Sequence, residues 1–221
     1  MAERIGIFKG RSALYNKLIL KVLTEAFSEG KRLKEWELAK RIQKKLDKGE
    51  NWYIEAQRIY SVLIRKNGRL RDLENKWYVQ CEIKEEDGRK VRYWFPTPKG
   101  LIATLILDSN LIDDVANSPF WESKEFKKGL AKEVKKYKKT TRKGHVPVKV
   151  SPKSLKKLAS QFVESFKDKE KLRNLMKDVK YLIDKGFQLD LMGETDFPLM
   201  IQLTPTIKEM QKKLAVNFMN K

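Results

Sequence analysis

A mostly helical α+β fold is what this sequence predicts, and three observations carry the expectation. Apolar residues recur at three- and four-residue steps over most of the chain. Alternation by two is confined to short runs. The clearest pair of such runs flanks Asp87-Gly88, a dipeptide suited to a tight hairpin. With 221 residues the chain can bury a sizeable core, as one large domain or two small ones.

Residues 1 to 11 show no clear period and read as a short, frayed arm, in which Lys9 and Arg11 are the groups able to touch phosphate. Ser12 is placed as an N-cap. Leu14, Leu18, Ile19, Val22, Leu23, Ala26 and Phe27 then stripe one helix face, and Gly30 is placed to end it. A second helix spans Leu33 to Leu46, with Trp36, Ala39, Ile42 and Leu46 inward and Lys34, Lys40, Arg41, Lys44 and Lys45 outward. Asp47 to Asn51 turns the chain into a third helix, about 52–67. There Ile59, Val62 and Leu63 face the core, leaving Glu55, Gln57, Arg58, Ser61 and Arg65 on exposed or flanking faces. Gly68 precedes Arg69-Leu70-Arg71-Asp72-Leu73, so this helix either runs through the glycine or restarts after it.

Trp77 to Lys84 and Val91 to Phe95 read as two strands of a hairpin that carries Arg89, Lys90 and Arg92. Cys81, in the first strand, reads as a core thiol. Pro96 ends the hairpin, Thr97 caps the next helix, and Pro98 occupies its first turn, where a missing N–H costs nothing. Leu101, Ile102, Leu105 and Ile106 make that helix apolar.

This order resembles a winged helix-turn-helix. The restart Phe95-Pro96-Thr97-Pro98-Lys99-Gly100-Leu101 resembles the wing exit of PadR- and MarR-like DNA-binding regulators. The resemblance implies a winged-helix DNA-binding domain over residues 1–107. Its second helix would cross the phosphate backbone, the helix near 52–67 would read the major groove, and the hairpin would be the wing. It also implies a helix leading on to a dimerisation element, hence a homodimer. Arg and Gln on the third helix suit this, since their side chains make paired contacts to guanine and adenine edges. The pattern departs from the family at Gly68, where a short apolar strand usually follows.

Residues 108–150 read as a helical connector. A short helix and a break reach Trp121, then Phe126, Leu130, Val134 and Tyr137 recur at helical spacing among lysines, and an open basic linker follows. Residues 151–221 read as a helix-helix-hairpin-helix module. Ser151-Pro152 opens a helix with Leu155, Leu158, Ala159, Phe162, Val163 and Phe166 inward. Asp168 opens the next, with Leu172, Leu175, Met176, Val179, Leu182 and Ile183 inward and Gly186 as its stop. A second hairpin is expected from Phe187–Leu191 and Phe197–Leu203, with Thr204-Pro205 opening the last helix. The tail thus repeats the grammar of the first unit. A diverged second winged helix and a plain partner or dimerisation module both stand as readings.

The formal net charge is +20. Residues 1–107 hold 24 Lys/Arg against 14 Asp/Glu, and residues 124–157 hold 14 against 2. So one-signed a strip indicates a polyanionic partner, nucleic acid first. A lysine-rich surface of the kind thermophiles carry, and a membrane-surface helix, are the other readings of it. Candidate nucleic-acid contacts are Lys40, Arg41, Lys44, Lys45, Gln57, Arg58, Ser61, Arg65, Arg69, Arg89, Lys90, Arg92, Lys135, Lys136, Lys138, Lys139, Arg142 and Lys143.

No apolar run reaches the ~20 residues of a membrane span, and no signal peptide is evident, so the cytoplasm is the expected compartment. Cys81 alone cannot form an internal disulfide, and His145 is the single histidine, so no metal site is expected. Asp190, Glu194 and Asp196 could hold Mg²⁺ as in a nuclease, but acids are ordinary at turns. No phosphate loop, His pair or Cys–His set is present, and neither an enzyme nor a cofactor is expected. The function expected is double-stranded DNA binding by a transcriptional regulator. The alternatives are a plasmid or viral replication protein with two winged-helix units, and an RNA-binding factor.

Overall fold

The computed structural model describes residues 5–46, 51–124, 126, 157, 160–193 and 196–219. Eleven elements within them make an α+β fold that is mostly helical. They are α1 (Ala13–Ser28), β1 (Leu33–Lys34), α2 (Glu35–Leu46), α3 (Trp52–Ile64), α4 (Arg69–Asn75), β2 (Val79–Glu86), β3 (Arg89–Pro96), α5 (Pro98–Leu107), α6 (Ile112–Ala116), α7 (Lys169–Asp184) and α8 (Asp196–Met219).

Local chemistry sets many of the boundaries. Gly30 ends α1 at φ +75, while its N–H bonds Phe27 O and the Lys31 N–H bonds Ala26 O. This paired closure needs a left-handed residue, which glycine adopts without strain. Asp87 and Gly88 both have positive φ and join Glu86 directly to Arg89. That is the tight turn whose twist suits a hairpin, and it carries β2 and β3 further toward the tip than alternation indicates. Thr97 caps α5 by accepting from the Gly100 N–H, with Pro98 in the first turn. Asp168 caps α7 by accepting from the Glu170 and Lys171 N–H groups, which holds its carboxyl below the usual range. All six apolar residues expected inward on α7 are buried.

The sheet is antiparallel with order β1-β3-β2. Strand β1 corrects the expected helix start. Leu33 and Lys34 pair with Trp94 and Tyr93, so α2 begins only at Glu35. This pairing spans about sixty residues of sequence, and no local period could announce it. Residues 5–8 correct the frayed arm: Ile5, Ile7 and Phe8 are buried, and Asn16 donates to the Ile7 carbonyl at 2.7 Å. Leu14, expected in the α1 stripe, is exposed. Gly68 resolves as a restart. Helix α3 stops at Ile64, and Gly68 stands before α4 with no room for a side chain, since an added Cβ would lie 2.3 Å from Leu63 O.

The second hairpin is not formed. Leu189–Leu191 is a single 3₁₀ turn, and 196–219 is one helix that runs through Pro205. Phe197, Ile201 and Thr204 are buried at helical spacing along it, with Pro198 buried beside Phe197. Thr204-Pro205 is therefore interior to α8 and opens nothing, and among the described residues beyond β3 there is no strand. Ser151, the start of the helix after it and the 126–150 strip lie outside the described residues apart from Phe126.

One core joins these elements. Phe27 of α1 meets Phe120, Trp121 and Phe126 with ring centroids 4.8 to 5.9 Å apart, Phe95 joins through Phe120, and Phe166 joins through Trp121. Helix α5 runs through the middle, buried from Pro98 to Leu105. Its closest approach is at Gly100, where an added Cβ would stand 2.0 Å from the Tyr78 carbonyl oxygen. Replacing a mid-helix glycine by alanine ordinarily stabilises a helix by ~1 kcal/mol. Here the sign reverses, because backbone must give way. Gly100→Ala is expected to lower the urea midpoint, with a loss of ~2 kcal/mol or more. A raised midpoint would contradict the packing described.

Candidate nucleic-acid interface

Helix α3 is anchored by Ala56, Ile59 and Leu63, which are buried on one face, with Val62 half-buried beside them. Helical geometry then fixes the opposite face: Ile54, Gln57, Arg58 and Ser61, each three or four residues from another of the set, with Arg65 at the C-cap four beyond Ser61, and all are exposed. The polar members coincide with those expected from the sequence. Glu55 is drawn off to the flank, where it accepts from Arg58 at 2.6 Å. Arg65 has no ion-pair partner among the described residues. Arg69 sits apart from this face, half-buried as the first residue of α4.

The cations of α2 divide into two rows. Arg41 and Lys45, one turn apart, face α1, where Arg41 meets Glu29 at 3.2 Å and Lys45 meets Glu25 at 2.8 Å. The Arg41 guanidinium, then Lys31, holds the Glu29 carboxyl below its usual range. Lys40 and Lys44 form the other row, exposed and without an ion-pair partner among the described residues. Lys40 and Lys44 are thus the exposed α2 cations clear of a carboxylate among the described residues, whereas Arg41 and Lys45 are each held by one.

The hairpin is less basic than its arginines suggest. Glu82 pairs with Arg32, and Glu86 pairs with Lys34 at 2.8 Å while also accepting from Tyr93. Lys34, then Tyr93, holds the Glu86 carboxyl low, and Glu86 in turn raises Lys34. Lys34 is thus bound to the hairpin and is not an outward cation of α2. Arg92 stands 3.6 Å from Glu35, at the first residue of α2. Arg89 and Lys90 are exposed and unpaired among the described residues, leaving them as the hairpin's available cations. Lys135, Lys136, Lys138, Lys139, Arg142 and Lys143 lie outside the described residues, as do His145 and residues 47–50.

A group of aromatic side chains escaped the sequence reading, which set Trp36 inward on its helix and gave Trp52 no role beyond opening the next. Trp77, Trp94 and Trp121 are buried, but Trp52 is 51% exposed and Tyr53 53%. Trp36 is half-buried, with ring centroids 5.6 Å from Tyr53 and 5.8 Å from Tyr60, while Leu38 takes the inward position on α2. The signal was the seven-residue step from Tyr53 to Tyr60, which sets both on the flank of α3 that meets α2.

Asp190 is committed elsewhere, accepting from the Tyr78 hydroxyl at 2.6 Å. Among the described residues no group of three His, Cys, Asp or Glu gathers. No helix among them is long and apolar enough to cross a membrane. Cys81 is half-buried on β2, and burial, followed by the Glu74 charge, pushes its thiol up to about 12. The thiolate is the reactive form, so iodoacetamide at pH 8 is expected to modify folded Cys81 orders of magnitude more slowly than the denatured chain. Equal rates would show the thiol to be open and ionised. No family model, curated protein or solved structure matches this chain.

Proposed function

We propose that the chain is a double-stranded DNA-binding protein of the winged helix-turn-helix type, acting as a transcriptional regulator and without enzymatic activity. The observation that carries this reading is the outward face of α3, where Gln57, Arg58, Ser61 and Arg65 stand clear of a helix anchored by Ala56, Ile59 and Leu63. The order α1–β1–α2–α3–β2–β3 and the sheet order β1-β3-β2 support it, with α4 as an insertion between α3 and the hairpin.

Each part then has a physical role. Helix α3 enters the major groove, which admits one helix, and Gln57, Arg58 and Arg65 reach base edges. Lys40 and Lys44 sit on the phosphates beside it, and Arg89 and Lys90 at the hairpin tip meet the backbone next along. The 124–157 strip, with 14 cations against 2 acids, adds affinity without reading sequence. A homodimer on a palindromic site and a cytoplasmic location complete the proposal. The two-winged replication reading loses its motive, since the tail folds without the second hairpin on which it rested. RNA binding keeps one specific observation, the exposed rings of Trp52 and Tyr53.

Binding to random duplex, single-stranded DNA and RNA of equal length, titrated with salt, tests the proposal. Duplex should be preferred, with a slope near −0.9 per phosphate neutralised and about six or more phosphates engaged. Lys40→Ala with Lys44→Ala should weaken binding to all duplexes alike and lower the slope by about two phosphates. Arg65→Ala should cost ~1–3 kcal/mol at one selected site and little on random duplex. Equal affinity for all three polymers would reduce the protein to a general polycation, and no binding at low salt would end the nucleic-acid reading.

A further inference from the structure

We propose that Trp52, Tyr53 and Trp36 form a stacking site for unpaired DNA bases, beside the groove-facing side of α3. The inference rests on the duplex-binding reading and adds a second class of ligand contact to it. Single exposed apolar side chains are ordinary on protein surfaces. Here three consecutive large residues, Trp52, Tyr53 and Ile54, are 51%, 53% and 47% exposed at the first turn of one helix. Ring contacts extend them into a continuous aromatic wall: Trp52 to Tyr53 at 5.7 Å, Tyr53 to Trp36 at 5.6 Å, and Trp36 to Tyr60 at 5.8 Å.

The surroundings select the occupant. Lys40 and Lys44 follow Trp36 at four-residue steps along α2, exposed and without an ion-pair partner among the described residues. Aromatic faces for bases, bordered by cations for phosphates, are the make-up of a single-strand site. A second copy of the chain fits less well. Across a two-fold axis through the wall, the unpaired lysines of each copy would be brought toward those of the other, and such interface cores are depleted in charge. Trp52 and Tyr53 stand at the start of α3, beside the outward row of Gln57, Arg58 and Ser61, so bases unpaired at a duplex junction lie within reach of the rings while the row itself meets paired bases.

The test uses the full chain and fluorescence anisotropy with four probes. These are a blunt duplex, the same duplex with a single-stranded DNA overhang, the single DNA strand alone, and the equivalent RNA strand. The double variant Trp52→Ala/Tyr53→Ala is compared with wild type, and a cooperative thermal melt, lowered by no more than a few degrees because both rings are half in solvent, shows that it folds. The overhang probe should bind wild type more tightly than the blunt duplex. The variant should lose about tenfold or more on the overhang and single-strand DNA probes while keeping its blunt-duplex affinity. Tyr53→Phe, which keeps a stacking face, should behave as wild type.

Equal loss on every probe, or no loss on any, overturns the site. So does tighter binding of the RNA strand than of the DNA, or a variant altered only in its sedimentation mass. Single-strand binding that depends on Trp52 in a protein that ignores blunt duplex would uphold stacking while sinking the groove reading alone.

Discussion

Lys99 is the constraint that ties α5, and with it the hairpin exit, to the 189–192 turn. Its side chain is fully buried, and its ammonium donates to Lys76 O at 2.9 Å, Met192 O at 2.5 Å and Asp190 O at 3.4 Å while lying 4.5 Å from the centre of the Tyr78 ring. Removing a cation from water costs several kcal/mol unless other groups replace the hydration. Here carbonyl dipoles and an aromatic face do so. Two of those carbonyls come from the 189–192 turn, so a charge on α5 is solvated by a segment about ninety residues away. Tyr78 closes the same node. Its hydroxyl donates to Asp190, burial keeps that phenol protonated far above its ordinary range, and its carbonyl accepts from the Thr97 N–H. Glycine at position 100 is what lets α5 lie against that carbonyl.

The same node explains why the hairpin has a fixed exit. Thr97 donates its hydroxyl to Trp77 O and caps α5 with the same oxygen, so the end of β3, the start of β2 and the first turn of α5 share one set of hydrogen bonds. Further out, restraint passes to ion pairs: Arg32 with Glu82, Lys34 with Glu86, Arg92 with Glu35. Partly exposed pairs add little stability singly. Their effect is on orientation, tying the hairpin to β1 and to the start of α2. The acids that position the hairpin also cancel most of its charge, which concentrates its reach for phosphate at Arg89 and Lys90.

What was legible in the sequence follows the range over which each cause acts. Asp87-Gly88, Thr97-Pro98, Gly30, Asp168 and Gly186 could be read because turn and cap chemistry is decided within a few residues. The outward face of α3 was legible because Ile59 and Leu63 set its register through the 3.6-residue period. Strand β1 was not, since Leu33 and Lys34 are extended only because Trp94 and Tyr93 lie alongside them. Ile5, Ile7 and Phe8 were missed for a similar reason: the turn that meets them lies at 189–191. The 197–203 run misled differently. A short continuous apolar stretch carries no period that separates strand from helix, and Thr204-Pro205 reads as a helix opener although the helix passes through it.

The basic strip and the outward face of α3 are different parts of the chain, and under the proposed function that separation bears on how the protein would work. Residues 124–157 carry 14 cations against 2 acids, while α3 between Trp52 and Ile64 carries one Glu and one Arg, bonded to each other. A surface so nearly neutral cannot hold a polyanion by its field. It can discriminate only by close contact, through amide, hydroxyl, guanidinium and ring edges brought against bases. On the proposed reading, the field that brings the polymer near comes from Lys40 and Lys44, from the hairpin tip and above all from the basic strip. Counterion release at those cations falls steeply with salt, whereas stacking and base-edge contacts depend on it far less. Raising salt should therefore remove indiscriminate binding first, leaving α3 and its aromatic flank to set which nucleic acid is kept.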